Sequence, residues 1–110
     1  MSQSAPLARL SDGVLVVSGY VDFDSVVALR RQGDALIASC SRALTVDLGA
    51  LENAHSVVLS LLLCWRRLAA GRSIELSFRG VSDRLASLAA LSNLEDELPG
   101  FAPGSEIPTH

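Results

Sequence analysis

Two neighbouring side chains in this sequence could combine a hydroxyl with an imidazole: His55 and Ser56, in the run LENAHSVVLSLLLCW. Serine can act as a nucleophile or accept a phosphate, and histidine is the usual base beside it. As a hydrolase the pair fails on geometry. The run from Ser56 onward has a helical pattern, and adjacent helical residues point about 100° apart, so nucleophile and base do not meet. A hydroxyl at a helix start has two other uses. It can cap the helix by accepting an orphan amide hydrogen bond, or it can carry a phosphate, which the free amides and the helix dipole favour.

The other chemistry-bearing residues are sparse. His110 ends the chain, and neither histidine has a thiol or carboxylate at ligand spacing, so no metal site is expected. Cys40 and Cys64 lie in apolar helical patterns, outside any CxxC arrangement. They are expected as reduced core thiols, with a disulfide or redox pair the alternative. Asp22, Asp24 and Asp47 could gather at one sheet end, although turns and caps explain them equally well. No glycine-rich phosphate loop follows a strand. The expectation is a binding protein with no catalytic residue and no cofactor.

The elements that position Ser56 follow from patterning. A chain of 110 residues supports one domain, and 49% apolar content is enough for a real core. Nine arginines against twelve acids give a net charge of -3, which argues against nucleic acid as a partner. The longest apolar stretch, Val57 to Trp65, is about half the ~20 residues a membrane span needs, so no membrane insertion is expected. The start, MSQSAPLARL, lacks the pattern of a signal peptide, so the expected location is cytoplasmic.

Strands are expected at Leu7–Leu10, Val14–Tyr20, Ala43–Leu48 and Ser73–Phe78, the first two joined by a turn at Ser11-Asp12-Gly13. Helices are expected after Asp24 or Ser25, from Ser56 to about Gly71, and after Ser82. Gly33 costs the first helix roughly 1 kcal/mol relative to alanine, and its absent side chain would allow close approach to the sheet. Asn93 to Leu98 would add a short turn. Three of the four prolines fall from Pro99 onward, so residues 99–110 are expected to form a disordered tail beyond a domain of residues 1–98. The order β-β-α-β-α-β-α implies parallel neighbours with helices on one side of a single mixed sheet of about four strands.

On a helical wheel, Ser60 and Arg67 fall within about 40° of Ser56, flanked by Leu59, Leu63 and Cys64. Val58, Leu61, Leu62, Trp65 and Leu68 take the far side and should pack on the sheet. Leu59 and Leu63 are either covered by the third helix or the tail, or they form an interface with Ser56 at its rim. Arg66, Arg67 and Arg72 suit the end of this helix, where the dipole is negative.

The segments GYVDFDS, TVDLGAL, HSVVLSLLL and SIELSFRGVSDRLASLAALSNLEDEL together resemble the STAS domain family over about Leu7 to Leu98. Within that family, RGVSDRLASLAALSNL is most similar to the STAS subunits of ABC transporters that move phospholipids between the two membranes of Gram-negative bacteria. The resemblance implies the STAS fold, an α/β architecture with three to four helices on one face. It also implies a non-catalytic role as partner of the transporter's ATPase subunit, within a complex that includes a permease at the inner membrane. Ser56, Leu59, Ser60, Leu63 and Arg67 would supply the contact, joined by Ser87 and Leu91 from the third helix.

Other STAS proteins are anti-sigma-factor antagonists, switched by a kinase that phosphorylates a hydroxyl at the position of Ser56. In that branch the acceptor follows an acid and precedes small residues, whereas here His55 precedes it and Val57 and Val58 follow. Two β-branched residues are expected to crowd a kinase and to favour a stable subunit contact. An anti-sigma kinase is therefore the alternative partner.

Overall fold

The computed structural model describes residues 5–94, 97, 98, 100 and 101. Four strands, β1 (Leu7–Ser11), β2 (Val14–Gly19), β3 (Ala43–Leu51) and β4 (Glu75–Arg79), form one sheet in that spatial order. The first pair is an antiparallel hairpin. Its two-residue turn, Asp12 (φ 49°) and Gly13 (φ 78°), keeps both central residues at positive φ, as the twist of a tight hairpin demands. The pairs β2–β3 and β3–β4 are parallel, so each needs a crossover.

Helices α1 (Val26–Ala38) and α2 (Ser56–Gly71) supply those crossovers, and α3 (Asp83–Leu91) follows β4. α1 packs on β1 and α2, and α2 packs on β4 and α3. Strand alternation shows the consequence. Leu15, Val17, Val46, Leu48, Leu76 and Phe78 are buried, while their neighbours Val14, Val16, Thr45, Asp47 and Ser77 are only half-buried on the opposite, bare face. The fold is the expected four-stranded mixed sheet, with three helices among the described residues.

Several local expectations change. Gly33 brings α1 against α2 and not against the sheet. A methyl added there would overlap the ring of Trp65, lying 2.6 Å from its Nε1. Trp65 is fully buried, and its indole N–H donates to the carbonyl of Arg30 at 3.3 Å, tying the two helices together. Gly71 remains inside α2, and the left-handed residue beyond it is Ser73 (φ 60°). Arg72 donates to the carbonyl of Ala38 at the end of α1, a neighbouring helix terminus instead of its own. Cys40 and Cys64 are both free and half-buried.

Packing continues a little past Leu98. Phe101 is buried and meets Phe78 edge-to-face with ring centres 5.5 Å apart. The remainder of the expected tail, residues 102–110, lies outside the described residues, as do 95, 96 and 99.

Candidate interaction surface

Of the residues singled out by sequence, Ser56 and Ser60 lie in the first turns of α2, Leu63 and Arg67 follow along the same helix, and Ser87 and Leu91 lie on α3. α2 starts at Ser56, but its N-cap is His55. In extended conformation, His55 turns its ring back so that Nδ1 accepts from the Val57 amide at 3.0 Å. That corrects the reading of Ser56 as the cap. The acceptor nitrogen of the imidazole is thereby engaged by a backbone N–H. Ser56 itself is exposed at the first helical position.

The outward stripe of α2 is Ser56, Ser60 and Arg67, all exposed, with Leu63 half-buried among them. Leu59 does not join it. Only 2% of its surface is exposed, so its apolar side chain belongs to the core. Val57 and Val58 are likewise turned inward, at 8% and 1% exposure, and leave the Ser56 hydroxyl uncrowded. The far side of the wheel behaves as expected, with Val58, Leu61, Leu62 and Trp65 buried and Leu68 packed against them.

α3 starts at the cap Ser82, whose Oγ accepts from the Leu85 amide at 3.1 Å. A cleft of about 320 Å³ runs between the segment that precedes α2 and the start of α3, lined by Asn53, Ala54, Gly80, Asp83 and Arg84 among others. A second hollow continues it along Ala54, Ser87 and Leu88. Ser87 is thus near the turn that precedes Ser56, whereas Leu91, 81% exposed, ends α3 beyond these hollows.

Two contributors carry no periodic signal in the sequence. Asn53 makes a two-point amide clamp: its Oδ1 accepts from the Val21 amide at 3.0 Å and its Nδ2 donates to the Val21 carbonyl at 2.8 Å. The segment before α2 is thereby fastened to the segment before α1. Next to it, Phe23 is 71% exposed and meets His55 edge-on, with ring centres 5.1 Å apart. Its loop is held by Asp22, whose Oδ1 accepts from both the amide and the hydroxyl of Ser25 at 2.9 Å. The Ser25 hydroxyl and amide hold the Asp22 carboxyl below its ordinary pKa, with a smaller contribution from His55.

Asp47 does not gather with Asp22. It lies on the bare sheet face, accepts from the Gly49 amide at 2.9 Å and pairs with Arg79 at 3.1 Å. Its carboxyl is lowered first by that amide and then by Arg79. Among the described residues, no three His, Cys, Asp or Glu side chains gather to hold a metal ion, and no helix is long and apolar enough to cross a membrane. The arrangement offers shape, the exposed hydroxyls of Ser56 and Ser60, and one exposed ring.

Residues 7–100 match the family described as the MlaB STAS domain. The structure is similar to a chain of the Acinetobacter MlaFEDB complex in its ATP-bound conformation, at 29% identity and a TM-score of 0.77, covering 86% of this chain and 98% of that one. It is also similar to an anti-sigma factor antagonist from Mycobacterium paratuberculosis, at 30% identity and a TM-score of 0.62, covering 89% and 84%. A third likeness, to an anti-sigma-factor antagonist (STAS) domain protein from Planctomyces limnophilus, has 13% identity and a TM-score of 0.67, and it speaks for the fold alone. No curated protein matches.

Proposed function

Because the chain belongs to the MlaB STAS domain family, we propose that it is a non-catalytic subunit of an ABC transporter that moves phospholipids and maintains outer-membrane lipid asymmetry. In this reading it binds an MlaF-like ATPase subunit on the cytoplasmic side of the inner membrane, in a complex with the permease. Ser56, Ser60, Leu63 and Arg67 form the contact on α2, with Ser87 and Leu91 from α3, while Leu59 supports the stripe from beneath. The observation that carries the reading is the likeness to a chain of the MlaFEDB complex, which extends over 98% of that chain at a TM-score of 0.77. A stripe of small hydroxyls around one leucine suits close approach of a second protein surface.

The test is affinity capture of the tagged full-length chain from detergent-solubilised native membranes, read by mass spectrometry. Recovery of an ABC ATPase with its permease is expected. Recovery of a soluble kinase or sigma regulator in their place would overturn the reading.

A second reading is favoured by one specific observation. Ser56 is exposed at the first position of α2, and Val57 and Val58 are turned away from it, so a kinase could reach the hydroxyl. As an anti-sigma factor antagonist, the chain would carry a phosphate on Ser56 under some growth condition. Intact-mass analysis of the protein from stressed cells distinguishes the two, since the transporter reading requires no phosphoform.

A further inference from the structure

We propose that Phe23 is an aromatic anchor of the docking surface, entering an apolar socket rimmed by basic side chains on the protein that covers Ser56. The inference rests on the docking reading above and extends it to a loop outside α2 and α3. Among the described residues, four large hydrophobics are exposed, Leu7, Phe23, Val27 and Leu91, and two of these sit within five positions at the start of α1. Phe23 is 71% and Val27 55% exposed. A phenylalanine left in water contributes nothing to a core, and exposed apolar clusters of this kind mark contact sites.

The ring is also held in place. Asp22 and Ser25 lock the loop through reciprocal hydrogen bonds, among them Ser25 N–H and Oγ–H to Asp22 Oδ1 and Asp22 N–H to Ser25 Oγ. Asn53 holds Val21 from the other side, and His55 meets the ring edge-on. An aromatic group already fixed in its bound position loses little freedom on association. It also stands beside the residue that precedes Ser56, so one partner surface can span both.

Charge selects the partner's rim. Asp22 and Asp24 flank Phe23, and no arginine or lysine occurs between residues 10 and 29 or between 43 and 65. The tip is therefore an apolar ring between two carboxylates, and Arg84 of α3 lies across the cleft lined by Asn53 and Ala54. A basic rim around an apolar socket complements it, whereas an acidic surface or an anionic membrane would be repelled.

The experiment uses the full-length chain and the ATPase subunit recovered with it, titrated against each other at two salt concentrations. Phe23→Ala should weaken binding at least tenfold without moving the melting temperature, Phe23→Trp should retain binding, and Asp24→Asn should reduce the salt dependence. If Phe23→Ala binds like the wild type while Leu63→Glu does not, Phe23 lies outside the interface and the inference fails, with the docking reading intact. If neither variant changes binding, or no ATPase is recovered, the docking reading fails as well. Sedimentation of the isolated chain covers the remaining occupant: self-association abolished by Phe23→Ala would make the socket a second copy and overturn the proposal.

Discussion

Gly33→Ala sets a backbone gain against a larger packing loss. Replacing a helical glycine by alanine ordinarily stabilises by about 1 kcal/mol, because glycine leaves the unfolded chain more freedom. In α1 the new methyl would overlap Cζ2 and Cε2 of Trp65 and sit 2.6 Å from Nε1. The obstacle is the flat ring of a fully buried residue held by a hydrogen bond to Arg30, so it cannot swing aside as a surface side chain would. Relief requires α1 and α2 to separate, or the indole to leave its rotamer and lose that bond. Overpacking of this kind costs about 1–3 kcal/mol, and a clash with a buried ring belongs at the upper end.

The net expectation for Gly33→Ala is a loss of about 2 kcal/mol, which lowers the melting temperature of a domain this size by roughly 10 °C. Thermal and urea unfolding followed by far-UV circular dichroism would measure it. In a Trp65→Phe background the penalty should shrink by roughly half or more, since the atoms that block the methyl are then absent. A Gly33→Ala variant as stable as the wild type, or more stable, would refute the argument that the glycine exists for helix–helix approach.

Three other outcomes are expected. Leu62→Glu should prevent folding, because Leu62 is fully buried and an unpaired buried carboxylate costs several kcal/mol, whereas Leu63→Glu on the outer stripe should leave a cooperative unfolding transition; chemical denaturation of both checks the face assignment. His55→Ala should cost about 1 kcal/mol through the lost cap on Val57, while Ser56→Ala should change stability by less than about 0.5 kcal/mol, which urea titration resolves. Hydrogen bonds from Ser25 hold the folded-state Asp22 carboxyl below the ordinary carboxylate range, so its stabilising effect is complete above that range and is lost as pH falls through the lowered pKa. Asp22→Asn should therefore be most distinct from the wild type near neutral pH and converge with it in acid, as acid titrations of stability would show.

The sheet was legible because β2 is rich in valine, β4 alternates apolar and polar residues, and the crossovers have helical spacing. The inner face of α2 was legible for the same reason, since a wheel gives direction. It does not give the width of what lies alongside, and Leu59, about 60° from the outward direction, falls under cover although Leu63 is only half covered. The β-branched character of Val57 and Val58 says nothing about which way they point once the cap fixes the first turn. Histidine is not among the preferred caps, so the role of His55 depends on a ring orientation that composition does not encode. The Asn53 clamp joins residues 32 positions apart, and an isolated aromatic such as Phe23 has no periodicity to betray it.

The bare face of the sheet offers a vantage point. Val14, Thr45 and Ser77 lie in register across β2, β3 and β4, half-buried, with no helix over them among the described residues. A dye or cross-linker attached at Thr45 or Ser77 would sit a full sheet thickness away from anything seated on the helices. It would report assembly by proximity or tumbling rate while leaving the contact itself unaltered. The one-sided layering thus gives this small domain a built-in observation post for whatever binds its helices.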